Sequence, residues 1–211
     1  MAAQNNPTSP DIVWHRATVT RERRERLNGH RGAALWFTGL PSSGKSTIAH
    51  ALEEKLHALS CRTFVMDGDN VRHGLCGDLG FSPDDRDENI RRAGEVARLF
   101  VEAGTIVSTA FISPSRLGRE RARALFQRGD FVEIYCRCPV EVCETRDPKG
   151  LYQRAREGQL AAFTGISAPY EEPHHPELIL DTAALRIAES VDRIYRLLDQ
   201  RGIISLVRPA L

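Results

Sequence analysis

Short clusters of apolar, β-branched or aromatic residues alternate along this chain with longer stretches in which apolar residues return every three or four positions. ALWFT (34–38), TFVM (63–66), TIVSTAF (105–111), FVEIY (131–135) and LIL (178–180) have the length and composition of buried strands. Between them, Ile48, Leu52, Leu56 and Leu59 step by four, four and three, and Ile90, Ala93, Ala97, Phe100 and Val101 share one face of DENIRRAGEVARLFVEAG. Both spacings predict amphipathic helices, the second closing on Gly104 as its C-cap. Strands that alternate with such helices are joined by crossovers. The pattern therefore predicts an α/β fold, a three-layer doubly wound parallel sheet of about five strands covered by helices on both faces.

Composition narrows the class. A chain of 211 residues at 41% hydrophobic is enough for one sizeable domain and too short for two with generous cores. Lys and Arg total 29 against 28 for Asp and Glu, so no global field favours nucleic acid or an anionic membrane. No apolar run approaches the roughly 18 residues of a spanning helix, and MAAQNNPTSPDIVWHR lacks the apolar centre of a secretory signal. Asp11, Glu22 and Glu25 are too many early acids for a transit peptide, so the expected location is cytoplasmic. Residues 1–30 read as an N-terminal extension ahead of a domain spanning 31–211. In that extension Thr20 is expected to cap a short solvated helix, RERRERL, with Glu22 and Arg26 paired at i, i+4. Cys61, Cys76, Cys136, Cys138 and Cys143 lack a C-x-x-C spacing and read as reduced, buried thiols. His174 and His175, adjacent and flanked by prolines, read as exposed loop and not as a metal pair.

The chemistry starts at GLPSSGKST, residues 39–47, which fits G-x-x-x-x-G-K-[ST] between a predicted strand and a predicted helix. Glycines at 39 and 44 let the backbone curl until successive N–H groups face phosphate oxygens, and the following helix adds its positive end. Leu40, Pro41, Ser42, Ser43 and Thr47 complete the loop, Lys45 bridges β- and γ-phosphates, and Ser46 can ligate Mg²⁺. The expected ligands are thus ATP and Mg²⁺. The loop does not say what receives the phosphoryl group.

Downstream strand ends carry the acceptor candidates. DGDNVRHGL puts Asp67, Asp69, Asn70 and Arg72 at the carboxyl edge of the sheet, where open α/β sheets bind ligands. Asp69, ionised at its ordinary pKa near 3.9, is a candidate to orient an acceptor hydroxyl or a metal-bound water, because phosphoryl transfer asks chiefly for position and charge neutralisation. Phe81 precedes a helix on which Arg86 and Asn89 stand three apart on one face. Arginine near a helix start opposes the dipole, which points to an anion there. FISPSR brings Ser113 to a third strand end. RDPKGLYQRAREGQLAAFTGIS, residues 146–167, combines Arg146, Lys149, Arg154 and Arg156 with three glycines, a composition that suits a mobile cationic lid.

Taken together these segments resemble the adenylyl-sulfate kinases. The similarity runs through IVWH, WFTGL and SGKST, DGDNVRHGL, DLGF, R-x-E-N-I-R-R, FISP, RDPKGLY and FTGISAPYE, and covers nearly the whole chain. The resemblance implies a P-loop NTPase fold of the nucleotide-kinase type and transfer of the ATP γ-phosphoryl group to the 3′-hydroxyl of adenosine 5′-phosphosulfate (APS). It also implies a homodimer. It places ATP phosphates on Gly39–Thr47, with Arg146 flanking the ATP base. The acceptor lies on Asp69, Arg72, Phe81, Arg86, Asn89, Ile112, Ser113, Lys149 and Phe163. The rings of Phe81 and Phe163 offer stacking surfaces for adenine, and arginine forks suit a phosphosulfate. The family pattern also makes Ser113 a phosphoserine intermediate. A serine with no histidine in its motif is a poor nucleophile, and we read Ser113 as a binding residue. Pro41 in the loop interior, and Cys76 and Gly77 where the family commonly has Asn and Lys, are departures. Read from the residues alone, a P-loop kinase for another small hydroxyl acceptor stays open. A silent nucleotide-binding module is opposed by the intact Lys45, Ser46 and Asp69.

Overall fold

The computed structural model describes residues 11–13, 15 and 17–204; Trp14 of the IVWH segment lies outside them. Strands β1 (Ala33–Thr38), β2 (Thr63–Asp67), β3 (Ile106–Ala110), β4 (Phe131–Arg137) and β5 (Leu178–Asp181) form one sheet in the order β2-β3-β1-β4-β5. Every pairing is parallel, from Thr63 opposite Ile106 at one edge to Ile134 opposite Leu178 at the other. Each of the five apolar clusters thus becomes a strand. The run at β1 is continuous because the central strand of a covered parallel sheet is buried on both faces.

Helices α1 (Arg21–Asn28), α2 (Lys45–Ala58), α3 (Gly68–Val71), α4 (Pro83–Glu102), α5 (Arg116–Ala124), α6 (Val140–Arg146), α7 (Leu151–Arg156) and α8 (Ile187–Gln200) fill the connections. Side chains alternate across β1. Ala33, Leu35 and Phe37 join the core under α2 and α8, whereas Ala34 and Trp36 join the core under α4. Ser82 caps α4 by accepting the Asp85 N–H at 3.1 Å, and Pro83 opens the first turn. The helix stops in a Schellman arrangement: Gly104 N–H bonds Val101 O at 2.9 Å and Thr105 N–H bonds Phe100 O at 3.0 Å.

The extension helix differs from its expected form. Thr20 occupies the N-cap position of α1, but its side chain makes no capping bond. The i, i+4 pair that forms is Arg21–Glu25 at 2.8 Å, because this face and not the Glu22–Arg26 face turns toward the sheet. Arg21 grips the buried Asp130 carboxylate at 2.5 and 2.9 Å, and Glu25 accepts the Gly32 N–H at 2.8 Å. The helix is therefore tied to the base of the sheet, not merely solvated. All five cysteines are buried free thiols, and burial pushes Cys136 up to about 12. His174 and His175 are exposed. Among the described residues no helix is long and apolar enough to cross a membrane.

An ion network, buried at Arg119 and Glu133, joins α5 to the sheet. Arg119 meets Glu133 at 2.8 Å, Arg123 meets Glu133 at 3.1 Å and Glu177 at 2.7 Å, and the Glu133 N–H donates to Glu177 at 2.6 Å. Arg119→Met leaves the Glu133 carboxylate buried without its shortest counter-charge. It is expected to lower stability by about 3 kcal/mol, measured by urea unfolding; Arg123 keeps the loss at the low end for a broken buried pair.

Candidate active site

The phosphate loop starts where β1 ends. Gly39 has φ +149°, and a Cβ added to it would stand 2.6 Å from the Cys136 carbonyl oxygen, so only glycine lets the chain pass this close to β4. The loop turns through Leu40, Pro41 and Ser42, buries Ser43 and enters α2 at Gly44. No acidic residue occupies the first turn of α2, which leaves its positive end for an anion. Lys45 curls over the loop, its Nζ donating to Gly39 O at 2.9 Å, Leu40 O at 2.6 Å and Ser43 Oγ at 3.4 Å. It is only 7% exposed, and burial pulls its pKa down to about 8. Tyr152 of α7 donates its hydroxyl to Pro41 O at 3.0 Å and braces the loop from outside.

Beside the loop, Ser46 donates to Asp67 Oδ2 at 2.5 Å, and Asp67 Oδ1 accepts the Asp69 N–H at 2.9 Å. Asp67 is a functional candidate that the sequence reading placed at the sheet edge without giving it a role. The signal was there, since it is the last residue of a strand two positions before Asp69. A hydroxyl and a carboxylate side by side are oxygen donors suited to Mg²⁺. Among the described residues no cluster of three or more His, Cys, Asp or Glu could hold a metal alone.

The other predicted residues gather around this centre. Lys149 pairs with Asp69, which raises the lysine pKa. The Arg72 guanidinium lies 4.4 Å from the centre of the Phe81 ring and donates to Gly80 O at 2.9 Å. Arg86 donates to Phe81 O at 2.9 Å, to Thr164 Oγ1 at 2.6 Å and to Ala162 O at 2.5 Å, joining the start of α4 to the 162–164 loop. Burial, then the charge of Arg72, lowers its pKa. Asn89 is buried and its Nδ2 has no hydrogen-bond partner. Phe163 meets Tyr152 edge-on at 5.0 Å. Ile112 O accepts the Thr38 hydroxyl at 2.8 Å, and Ser113 Oγ accepts the Trp36 indole N–H at 3.2 Å. Arg146 donates to Thr182 O at 2.6 Å.

One cleft of about 1040 Å³ runs across these residues. Pro41, Ser42, Gly44 to Thr47, Asp69, Arg72, Phe81, Arg86, Asn89, Ile112, Ser113, Arg146, Lys149 and Phe163 all line it. Gly39, Leu40 and Ser43 do not; they shape the loop from behind. Thr182, Leu185, Ile187 and Ser190 also line it, and sequence reasoning missed them because they carry no motif and no charge. The strand order explains the layout. The loop follows the central β1, the Asp67–Arg72 segment follows β2 at one edge, and Thr182 follows β5 at the other. Each edge is two strands away, roughly 10 Å at a spacing of about 4.8 Å. The cleft accordingly has two wings, one lined with charge and aromatic rings and one mainly apolar.

A glycine loop under a buried lysine, a hydroxyl–carboxylate pair and an arginine-rich wing, all on strand ends of one parallel sheet, define a P-loop phosphotransferase. More narrowly, the chain belongs to the adenylylsulphate kinase family, whose model matches residues 31–181. The adenylyl-sulfate kinase of Acaryochloris marina is 56% identical over 196 residues, covering 93% of this chain and 96% of that protein. The Mycobacterium tuberculosis APS kinase in complex with AMPPNP and APS superposes with a TM-score of 0.78 at 45% identity, covering 81% of this chain and 99% of that one. A hexameric APS kinase from Thiobacillus denitrificans matches with a TM-score of 0.63 at 33% identity, covering 84% of this chain and 30% of that one. The family makes this chain an ATP-dependent phosphotransferase with a hydroxyl acceptor.

The depressed Lys45 pKa has a measurable consequence. Between about 8 and 10.5 the unfolded chain holds a proton on Lys45 that the folded chain lacks, so this group makes stability rise with pH across that window. A triphosphate against Lys45 favours the ammonium form and reverses the shift. Nucleotide binding near pH 8.5 is therefore expected to take up protons, read by titration calorimetry in buffers of different ionisation heat. Lys45→Met abolishes the uptake. Wild-type heats that do not depend on the buffer would remove Lys45 from the contact.

Proposed function

We propose that this chain transfers the γ-phosphoryl group of ATP to the 3′-hydroxyl of APS, giving 3′-phosphoadenosine 5′-phosphosulfate and ADP. The observation that carries this reading is the joining, in one cleft, of the Lys45 loop with a second wing built from Asp69, Arg72, Phe81, Arg86 and Asn89. One wing serves the donor and the other an anionic, aromatic acceptor.

In this reading the backbone of Gly39–Thr47 cradles the triphosphate, and Lys45 leaves its carbonyl partners to span β- and γ-phosphates. Ser46 and Asp67 would hold Mg²⁺, which supplies charge neutralisation at the phosphate oxygens. Asp69 exchanges Lys149 for the acceptor hydroxyl and orients it in line, and a loose transition state asks chiefly for that positioning. Arg72 and Arg86 offer forks to the phosphosulfate, Asn89 offers an unpaired amide, and Phe81 and Phe163 offer ring faces to adenine. Ile112, Ser113 and Lys149 complete the acceptor pocket, and Arg146 flanks the ATP base. Residues 146–167 act as the lid, since Tyr152 and Phe163 already link that segment to the loop. The kinase domain spans 31–211 after an extension of 1–30, works as a homodimer, and operates in the cytoplasm, where ATP is supplied.

Ser113 serves binding and not relay. Its hydroxyl is buried and accepts the Trp36 indole N–H, a donor that cannot serve as an activating base. ATP alone should leave no stoichiometric phosphate on Ser113 in a labelling experiment.

A coupled ADP-release assay with ATP, Mg²⁺ and APS tests the whole reading. Turnover is expected only when all three are present, whereas turnover on another hydroxyl in its place would move the chain to a different acceptor. Lys45→Ala is expected to cut kcat by about 10²- to 10³-fold. Asp69→Asn should lower kcat more than it raises the acceptor KM; wild-type kinetics would take Asp69 out of the mechanism.

A further inference from the structure

Just beyond the lid segment, residues 170–172 are stitched to the FISPSR loop. The Glu171 N–H donates to Pro114 O at 2.9 Å, and the Glu171 carboxylate accepts the Arg116 N–H at 2.7 Å. Arg119 donates to Glu171 O at 2.6 Å, and Arg116 to Glu172 O at 2.8 Å. Tyr170 is held differently. Its ring stacks on Tyr135 with centroids 5.9 Å apart and stands 5.7 Å from the Arg119 guanidinium, while its hydroxyl meets Thr38 Oγ1 at 2.8 Å. Thr38 is fully buried and ends β1, next to Gly39. Its one hydroxyl proton goes to Ile112 O at 2.8 Å, with a longer contact to Ser113 O at 3.4 Å. The proton between Thr38 and Tyr170 therefore comes from Tyr170. Burial pushes the Tyr170 pKa up, which keeps that proton in place.

The result is a directed chain from the Tyr170 hydroxyl through the Thr38 hydroxyl to the Ile112 carbonyl, in which each bond polarises the next. Its members belong to different parts of the machinery. Thr38 delivers the backbone to the donor loop, Ile112 lines the acceptor wing, and Tyr170 follows the lid segment. Apolar side chains of the same shape would pack here with no hydroxyls to satisfy, so what the hydroxyls add is a fixed relative position. Neither Tyr170 nor Thr38 lines the cleft, so an effect on the reaction must pass through Ile112 and the loop. We propose that Tyr170 is a positioning residue for phosphoryl transfer, acting through Thr38 to hold the acceptor floor at Ile112 in register with the start of the donor loop. This rests on the reading of that wing as the acceptor site. An error of alignment between donor and acceptor costs rate and not nucleotide affinity.

The test is a double-mutant cycle in the full chain, Tyr170→Phe, Thr38→Val and both together. The coupled assay with ATP, Mg²⁺ and APS gives kcat, calorimetry gives affinity for a non-hydrolysable ATP analogue, and melting is measured without nucleotide. Tyr170→Phe is expected to lower kcat about tenfold, to bind the analogue like wild type and to melt close to it, since the ring stack remains. The double variant is expected to be no slower than Thr38→Val, because both removals break one chain. Thr38→Ser, which keeps the hydroxyl, is expected to be faster than Thr38→Val. A wild-type kcat in Tyr170→Phe overturns the proposal alone. Losses that multiply in the double variant, or a Thr38→Ser as slow as Thr38→Val, overturn it too, because the hydroxyls then do not act as one chain. A Tyr170→Phe that melts far below wild type, or loses analogue affinity in step with rate, marks a purely structural bond and also overturns it. A wild type with no turnover on APS overturns the acceptor reading and this proposal with it.

Discussion

The approach of Gly39 to the Cys136 carbonyl sets the geometry of the whole cleft. Because no side chain separates them, the loop leaves β1 flush against the end of β4 and turns immediately into α2. That turn aims the positive end of α2 along the rim, and it brings the Gly39 and Leu40 carbonyls within reach of Lys45. A buried ammonium needs such partners, since without them desolvation would drive off its proton. The loop thus stores a cation in a place where burial has made its charge strongly responsive to an incoming phosphate.

Charge in the rest of the cleft is balanced by contacts that a ligand can exchange. Asp69 is held by Lys149, while Arg86 is held by two oxygens of the 162–164 loop. These bonds are largely solvent-facing and individually weak, so a dianionic acceptor that offers better oxygens displaces them at little cost. The contrast with the Arg119–Glu133–Arg123–Glu177 network matters here. That network is buried at Arg119 and Glu133, lies off the cleft lining, and ties α5 to the sheet.

Much of this was legible in the sequence, for identifiable reasons. The strands could be read because parallel strands covered on both faces concentrate apolar and β-branched residues, as ALWFT does. The loop could be read because few residue orders curl a backbone around phosphate, and Asp69, Arg72, Arg86 and Asn89 because charged and amide groups at strand ends and helix starts have few structural duties. What stayed hidden were pairings between distant segments. Arg21 meets Asp130 across 109 positions and Lys149 meets Asp69 across 80, and no local period encodes either. Ser190, Leu185 and Thr182 were hidden for another reason. That wall of the cleft is built from ordinary side chains, and only their convergence after β5 marks them.

The FISP segment shows how the core and the site are joined. Ser113 adopts φ +41°, a left-handed conformation that costs a residue with a Cβ about 1–3 kcal/mol. It persists because its surroundings over-determine it. Trp36 holds the hydroxyl, Arg119 donates to the Ser113 carbonyl at 2.5 Å, and Thr38 fixes the preceding Ile112 carbonyl. The same Arg119 anchors Glu133 of β4 and donates to Glu171 O at 2.6 Å. The floor of the acceptor wing is therefore an extension of the buried network and is as rigid as the core. Its walls, the exposed Phe81 and the 162–164 loop with its exposed Ala162, are joined through Arg86. In-line transfer demands a fixed angle between donor and acceptor, and the rigid floor supplies it. Entry and exit demand walls that yield, and contacts carried by the single side chain of half-buried Arg86 meet that need.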